Sequence, residues 1–291
     1  MVSTAPVSTE AVPVRTGREH IVDVLIAERA PRLTRSFVWP LVKPSLYALL
    51  DYGKARRMAD AIATLSGADA MAYGSQLLAL KTTAQHLERI PTHGRCLIVS
   101  NHPTGIADGI AMYDALNRVR RDGIFFANAD ALRVCPRFSE TIIPVEWVEA
   151  KRTREKTRAT LVAARAAFEG ERAVVMFPAG RLARRTKEGL TDPPWAPTAC
   201  SLARKYEAPV IPVHMTGPWS TLFHLFDRIS PELRDVTLFH ELLNKHAKRF
   251  SLIVGPPIAP DALDPDATVA TERLKHYVER VLPLKPDAPF A

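Results

Sequence analysis

The stretch that decides the fold is Cys96-Leu-Ile-Val-Ser-Asn-His-Pro-Thr-Gly-Ile-Ala-Asp-Gly109. Its apolar start is too short for a helix and stops at the turn-forming residues 101–103, which predicts a buried strand. Residues 105–121 then carry apolar side chains at helical spacing, which predicts a helix. Residues that follow a strand of an open α/β sheet commonly face a ligand. His102 therefore lies where a functional residue is expected.

Asp108 falls in the first turn of that predicted helix, six residues after His102. The dipole and the unpaired N–H groups of a helix N-terminus favour a carboxylate there, and a carboxylate can orient an imidazole ring. A lone histidine is more often a structural hydrogen-bonding residue. Its position beside Asn101 and ahead of Asp108 instead indicates a general base, His102, with Asp108 as its orienting group.

Working outward from this stretch, short apolar runs alternate with segments of helical periodicity. The runs predict strands at residues 96–99, 123–127, 141–145, 172–177, 209–214 and 249–254. The helical segments are 19–30, 37–50, 54–80 with a break at residues 66–67, 105–121, 153–168, 195–206 and 268–281. This alternation predicts an α/β fold, in which a mostly parallel sheet is covered by helices.

The chain divides into three predicted parts. Residues 1–18 are rich in Pro, Thr and Val and lack the features of a signal peptide, which predicts a disordered leader. Residues 19–90 are predicted to be an N-terminal helical element, and residues 91–291 an α/β domain. With 47% hydrophobic residues among 291, the chain can bury one sizeable core.

Residues 37–50 carry two prolines and a lysine and are shorter than the roughly 20 apolar residues of a membrane-spanning helix. Trp39 and Tyr47 lie in this segment, and the basic residues in or near it are Arg32, Arg35, Lys43, Lys54, Arg56 and Arg57. Aromatic and basic side chains together predict a membrane-interface anchor. The alternative is a helical hairpin packed on the α/β domain.

The formal charge of +8 and the pI of about 9.6 point to anionic partners: nucleic acid, an acidic membrane surface, or phosphorylated or thioester-linked substrates. No nucleic-acid-binding motif is present, so we expect no nucleic-acid partner. Cys96, Cys135 and Cys200 are too far apart to indicate a zinc site or a disulfide framework. His240-Glu241 is followed by His246, which is not the spacing of a zinc protease, and we expect no metal.

The sequence His-Pro-x-Gly-x-x-Asp-Gly after an apolar strand resembles the glycerolipid and lysophospholipid acyltransferases. Residues 174–181 (VVMFPAGR) and 208–216 (APVIPVHMT) resemble two later blocks of that family, in the same order. Five residues separate His102 from Asp108, where the usual family spacing is four. This variant is similar to a bacterial hemolysin-like branch, whose acyl acceptors are less uniform than glycerol phosphates.

The resemblance implies a glycerolipid acyltransferase-like fold and an O-acyltransferase of membrane lipid biosynthesis. It implies transfer of a fatty acyl group from acyl carrier protein or coenzyme A to a lysolipid hydroxyl, with His102 removing the hydroxyl proton and no cofactor. The expected place is the cytoplasmic face of the inner membrane, as a peripheral or monotopic protein on an anionic surface. The acceptor, the acyl chain length, the carrier and the oligomeric state stay open.

The same resemblance and the basic loop after the fourth strand suggest substrate-binding residues. They are Asn101, Thr104, Gly105, Phe177, Pro178, Gly180, Arg181, Arg184 and Arg185, and less strongly Asn128, Asp130, Arg133 and Pro212. The family pattern has an acidic residue after Pro178, where this chain has Ala179. A lyso-aminolipid with a carboxylate, such as a lyso-ornithine lipid, therefore competes with lysophosphatidic acid as the expected acceptor. The alternative function is a non-catalytic, basic lipid-binding module with a degraded acyltransferase site.

Overall fold

The computed structural model describes residues 19–146, 152–187, 189–218 and 220–290; the predicted leader, residues 1–18, lies outside them. The helices are α1 Ile21–Arg29, α2 Pro31–Thr34, α3 Trp39–Leu49, α4 Tyr52–Ile62, α5 Gly67–Leu78, α6 Ile106–Leu116, α7 Asp130–Val134, α8 Arg154–Glu169, α9 Thr198–Lys205, α10 Thr221–Ile229, α11 Pro231–Val236, α12 Leu238–Leu243 and α13 Ala267–His276. The strands are β1 Lys81–Gln85, β2 Cys96–Ser100, β3 Ile124–Asn128, β4 Ile142–Val145, β5 Ala173–Met176, β6 Arg184–Thr186, β7 Gly189–Thr191, β8 Val210–Thr216 and β9 Arg249–Val254.

Seven of the strands form one sheet in the order β1-β9-β8-β2-β5-β3-β4. Strands β8, β2, β5, β3 and β4 are parallel, whereas β9 is antiparallel to β8 and parallel to β1. The carboxyl ends of the five parallel strands consequently share one edge, called here the site edge. Strands β6 and β7 form a separate antiparallel hairpin.

Helices cover both faces of the sheet, which explains why the central strands are continuously apolar. All five residues of β2 are buried. One core lies between the sheet and helices α5, α6 and α12, and a second lies between the sheet and helices α8, α9 and α13. The predicted α/β fold with a mostly parallel, helix-covered sheet is confirmed.

The N-terminal helices α1, α3 and α4 share a third apolar cluster with α10 and α11. Polar contacts supplement this packing: the Glu232 carboxylate on α11 accepts hydrogen bonds from the backbone N–H groups of Arg32 and Leu33 in α2. The helical segment is thus packed against helices of the α/β part. No helix among the described residues is both long enough and apolar enough to cross a membrane.

The six predicted strands are present, with bounds that differ by at most two residues from the sequence-based ranges, and 249–254 agrees at both ends. The sequence patterns do not predict strand β1, the hairpin β6–β7, helix α7 or helices α10 to α12. Strand β1 lies inside residues 19–90, which were predicted to be helical, and its sequence Lys-Thr-Thr-Ala-Gln has no apolar run. It forms a strand because it pairs with β9 at the edge of the sheet.

Candidate active site

His102 follows β2 at the site edge, as the sequence predicted. Its Nδ1 lies 2.9 Å from Oδ2 of Asp108. The histidine side chain is 17% exposed, whereas the aspartate side chain is completely buried. When Nδ1–H donates to the carboxylate, Nε2 carries the lone pair and can accept a proton. The predicted pairing of His102 with Asp108 is present in the structure.

The Asp108 carboxylate is held by three donors besides the imidazole. The Thr104 hydroxyl donates to Oδ1 over 2.5 Å, and the backbone N–H groups of Thr104 and Gly105 donate to Oδ2 over 2.9 and 3.1 Å. Burying a carboxylate is costly unless hydrogen bonds replace its water. These bonds fix the carboxylate and also satisfy N–H groups at the start of α6, because Asp108 lies in that helix's first turn.

The loop between His102 and α6 needs a glycine at position 105. Gly105 has φ +98°, and a Cβ there would approach the Leu182 side chain at 3.2 Å. Only glycine adopts this backbone conformation without strain. Gly105 and Thr104 were predicted to bind substrate. In the structure Thr104 is buried and both residues hold Asp108, and substrate binding by either residue stays a prediction.

Asn101 is another predicted substrate-binding residue that has a scaffold role. It is buried, its side-chain amide donates to the Met215 carbonyl over 2.8 Å, and its carbonyl accepts from the Met215 N–H over 2.7 Å. Met215 lies on β8, so the amide side chain continues the pairing of β2 with β8 where the main chain turns away. Both polar atoms of the Asn101 side chain thus bond to β8 and fix the start of the loop that carries His102.

The loop after β5 packs on His102. The Phe177 ring stacks on the His102 ring with centroids 4.7 Å apart, and the Ala183 N–H donates to the His102 carbonyl over 3.0 Å. Gly180 makes the turn between them with φ +59°, its N–H bonded to the Phe177 carbonyl. Pro178 is buried, and its carbonyl accepts the Ala196 N–H. Of these predicted substrate-binding residues, Phe177, Pro178 and Gly180 shape the site around His102.

Asp192 is a site residue that the sequence analysis missed. Its two carboxylate oxygens accept the His102 backbone N–H over 3.1 and 3.0 Å, and Oδ2 also accepts the Trp195 indole N–H over 2.9 Å. The Asp192 N–H donates to Glu279, which pairs with Lys275 on α13. Burial raises the pKa of Asp192 to about 6, and the charge of Glu279 adds to this rise, whereas His102 and the Trp195 hydrogen bond oppose it. Ninety residues separate Asp192 from His102, so no local spacing could indicate the contact.

The predicted basic loop is exposed beside this core. Arg181 is exposed and has no polar partner among the described residues. Arg184 lies on β6 and is 53% exposed, with its nearest carboxylate, Asp227, 4.0 Å away. Arg185 lies on the same strand, and its side chain is outside the described part of the structure. The loop therefore presents cations near the base without burying them in the fold.

The weaker candidates lie apart from the base. Asp130 pairs with Arg29 of α1 over 2.7 Å, and Arg133 forms two bonds with Glu28 of the same helix. Asn128 accepts the Asp130 N–H over 2.8 Å. The polar groups of Asp130 and Arg133 therefore attach α7 to α1. Acceptor binding by these residues stays a prediction.

Two residues of β8, Pro212 and His214, lie near the site edge within the sheet. Pro212 is buried beside Val99 of β2, in the floor of the sheet below the site edge. His214 donates from Nδ1–H to the Val278 carbonyl over 2.9 Å, and burial lowers its pKa. In the described part of the chain, no group of three His, Cys, Asp or Glu side chains is arranged to hold a metal ion.

A family model described as an acyltransferase matches residues 68–276. Two similar curated proteins, both named lyso-glycine lipid O-acyltransferase, come from Phocaeicola vulgatus and Bacteroides thetaiotaomicron and are 27% and 25% identical over 210 residues. Each alignment covers 70% of this chain, and 74% and 75% of the respective relative. The crystal structure of the 1-acyl-sn-glycerophosphate (LPA) acyltransferase PlsC from Thermotoga maritima matches with a TM-score of 0.45 at 14% identity, over 90% of this chain and 93% of that one. His102, Asp108 and Asp192 all lie inside the region that the family model matches.

Proposed function

This chain belongs to the acyltransferase family, and on that premise we propose that it transfers a fatty acyl group from a thioester to the hydroxyl of a lysolipid, with His102 as the general base. The predicted enzyme class, an acyltransferase, is confirmed by the family match. The observation that carries the finer proposal is the 2.9 Å contact between His102 and the fully buried Asp108 at the site edge. The proposal requires no cofactor, since the thioester is a co-substrate.

In the proposed reaction, His102 Nε2 takes the proton of the acceptor hydroxyl as its oxygen attacks the thioester carbonyl. An alcohol is a poor nucleophile near neutral pH, and a positioned neutral imidazole removes this barrier. The new C–O bond forms a tetrahedral intermediate, which collapses by breaking the C–S bond. The thiolate leaves and receives the proton from the imidazolium, so the enzyme returns to its starting state.

Asp108 has two parts in this reaction. Its hydrogen bond to Nδ1 keeps the imidazole in the tautomer that leaves Nε2 unprotonated, and its negative charge stabilises the imidazolium that forms during attack. The four donors on Asp108 keep this geometry fixed. A degraded, non-catalytic site would have no need of such a network, which argues against the lipid-binding module as the function.

For the acceptor we propose a lyso-aminolipid. The two curated relatives are named for a lyso-glycine lipid, and this chain has Ala179 where the glycerol-phosphate pattern has an acidic residue. Arg181 and Arg184 supply exposed guanidinium groups near the base. A guanidinium can form two parallel hydrogen bonds to a headgroup carboxylate, which would set the distance between the acceptor hydroxyl and His102.

The acceptor is tested by giving the purified enzyme a lyso-aminolipid and lysophosphatidic acid side by side, with one acyl thioester. We expect a higher kcat/KM with the aminolipid. A clear preference for lysophosphatidic acid would overturn the aminolipid proposal and leave the acyl transfer itself intact. Absence of transfer to either lipid, whether the acyl chain is carried by acyl carrier protein or by coenzyme A, would contradict the lysolipid function.

We also propose that the protein works at the cytoplasmic face of the inner membrane, attached through residues 37–50. In that segment the side chains of Phe37, Leu41 and Leu49 are 92%, 79% and 57% exposed, next to the exposed cations Arg32 and Arg35. Exposed apolar side chains flanked by cations favour binding to an anionic lipid interface.

The membrane attachment is tested by sedimentation with anionic vesicles. Phe37→Ser with Leu41→Ser should reduce the pelleted fraction, and salt should release part of the unmodified protein. Leu284→Ser is the matched control, because Leu284 is 81% exposed but lies near the other end of the chain. Equal pelleting of the double variant and the control would remove residues 37–50 as the anchor.

A further inference from the structure

The N-terminal half of α8 carries basic and apolar side chains that the proposed reaction does not use. Strand β4 is parallel to β3, as β3 is to β5 and β5 to β2, and α8 follows β4. The N-terminus of α8 therefore lies at the site edge, the edge where His102 follows β2. The surface that begins there is called here the α8 surface and comprises Arg152, Arg154, Arg158, Leu161 and Val162.

Helical spacing places most of these residues on one face. Arg154, Arg158 and Leu161 are separated by four and three residues, and such residues are neighbours on a helix. Leu161 is 51% and Val162 60% exposed. A shallow groove of ≈ 410 Å³ is lined by Arg152, Thr153, Arg154, Thr157, Arg158 and Leu161. The opposite side of the helix, with Ala164, Ala167 and Phe168, is buried in the core.

Two cations of this surface, Arg154 and Arg158, differ from others on the same helix in lacking a carboxylate partner among the described residues. Lys156 pairs with Glu146 over 2.8 Å, and Arg165 pairs with Glu169 over 2.7 Å. Arg154 and Arg158 form no ion pair with any described residue. The acidic side chain of α8 in this region is Glu155, which is in the first turn of the helix. The α8 surface thus keeps an excess of positive charge around two exposed aliphatic side chains.

We infer that the α8 surface docks an acidic carrier protein that brings the acyl thioester to His102. This inference rests on the proposed function, because it names the partner that supplies the donor. Interface centres are enriched in arginine and apolar side chains, and complementary charge speeds association. A carrier protein must bind and leave once per turnover, which suits a small, charge-steered contact better than a large apolar one.

The composition of the surface distinguishes this partner from two others. A free nucleotide thioester would use the arginines for its phosphates but would gain nothing from Val162, which does not line the groove. A membrane-binding helix typically places aromatic side chains at the interface. The five residues that define the α8 surface include no aromatic side chain, in contrast to residues 37–50 with Phe37, Trp39 and Tyr47.

The test compares the same acyl chain on acyl carrier protein and on coenzyme A, with one lysolipid acceptor. The charge-reversal variant Arg154→Glu with Arg158→Glu should raise KM for the carrier-bound donor about tenfold or more, because like charges now face each other. Its kcat should stay within about twofold, since a change in kcat would require a contact with the reacting groups. Its KM for the coenzyme A thioester should also stay within about twofold, since that donor has no carrier protein to dock. Leu161→Ser with Val162→Ser should raise KM for the carrier-bound donor without changing net charge.

The matched control is Arg121→Glu with Lys205→Glu, which reverses two exposed cations at the opposite edge of the sheet. It should leave KM for both donors unchanged. An unchanged KM for the carrier-bound donor in the α8 variant would overturn the inference. An equal rise in KM for both donors would also overturn the inference and indicate that the groove binds the phosphates of a nucleotide. A loss of vesicle pelleting at unchanged KM would overturn it too and indicate that the surface binds the membrane.

A binding measurement that does not depend on catalysis distinguishes an error in the proposed function from an error in the docking site. Isothermal titration of the unmodified enzyme with acylated carrier protein should show binding that weakens with salt and is lost in the charge-reversal variant. Binding of this kind without acyl transfer from either donor would contradict the proposed function but support the docking surface. Acyl transfer from the carrier protein that the charge-reversal variant does not weaken would support the proposed function but contradict the docking surface.

Discussion

Two neighbouring segments at the site edge differ in whether their charged side chains are buried and paired or exposed. In the loop after β2, Asp108 is fully buried and both of its carboxylate oxygens accept hydrogen bonds. In the segment after β5, Arg181 is exposed without a polar partner in the described structure, and Arg184 lies 4.0 Å from its nearest carboxylate. Buried polar groups must be paired, which fixes their geometry. Exposed cations stay hydrated and remain available to an incoming anion.

Under the proposed function, the first loop carries the chemistry and the second recognises the acceptor, and five substitutions test this division. His102→Ala should have the largest effect. Removal of a general base is expected to lower kcat by about 10²–10⁴-fold, while the fold remains intact because the side chain lies at an edge and not in a core. His93→Ala is the control, since His93 is an exposed histidine on a separate turn. A folded His102→Ala enzyme with a near-normal rate would exclude His102 as the base.

Asp108→Asn should have the next largest effect. The amide keeps a hydrogen-bonding shape but loses the charge that stabilises the imidazolium, so kcat should fall by about a hundredfold with less change in KM for the acceptor. Because the new NH₂ group would face donors from Thr104 and Gly105, the thermal midpoint is measured alongside the kinetics. Thr104→Val provides a milder comparison, since it removes one donor and retains the carboxylate. A rise in KM alone would make Asp108 a binding residue.

Asp192→Asn should reduce kcat by about tenfold, because a small displacement of His102 is enough to slow proton transfer. It should also change how stability depends on pH. The folded pKa of Asp192, about 6, is above the ordinary value of 3.8, so this group's contribution to stability is full below pH 3.8 and is lost as the pH rises through 6. From pH 4 to 7 the unmodified protein should lose up to about 3 kcal/mol relative to the variant, at ~1.4 kcal/mol per pKa unit.

The control for Asp192 is Asp114→Asn. Asp114 accepts a hydrogen bond from Ser75 over 2.6 Å, and burial raises its pKa too. Urea denaturation at several pH values should therefore show the same sign of effect in both variants, but only Asp192→Asn should lower kcat. Equal kcat values in the two variants would show that Asp192 supports the fold but does not position His102 for the reaction.

Arg181→Lys should have the smallest effect, and the effect should be on binding of the acceptor. The charge is kept, but one ammonium cannot replace two parallel guanidinium bonds, so KM for the acceptor should rise about fivefold at unchanged kcat. The measurement is a steady-state titration of the acceptor at saturating donor. A drop in kcat instead would place Arg181 in the chemistry, and no change would remove it from the site.

Much of the site edge could be predicted because its signals are local. An apolar run followed by turn residues indicates β2, and six positions on, Asp108 falls in the first helical turn, so the pairing with His102 follows from adjacency in the chain. The roles of the flanking residues were less predictable. Asn101 and Thr104 look like ligand-binding residues in the sequence, yet their side chains bond to Met215 and Asp108 inside the protein.

From the sequence alone, six of the nine described strands, the α/β class and the His102–Asp108 pair could be predicted, because periodicity and short spacing are properties of neighbouring residues. The tertiary structure alone decided that Lys81–Gln85 joins the sheet beside β9, that Asp192 holds the His102 backbone, and that Asp130 and Arg133 pair with α1. Each of these contacts joins segments more than 80 residues apart. Such contacts depend on how the whole chain packs, and no local pattern of residues encodes them.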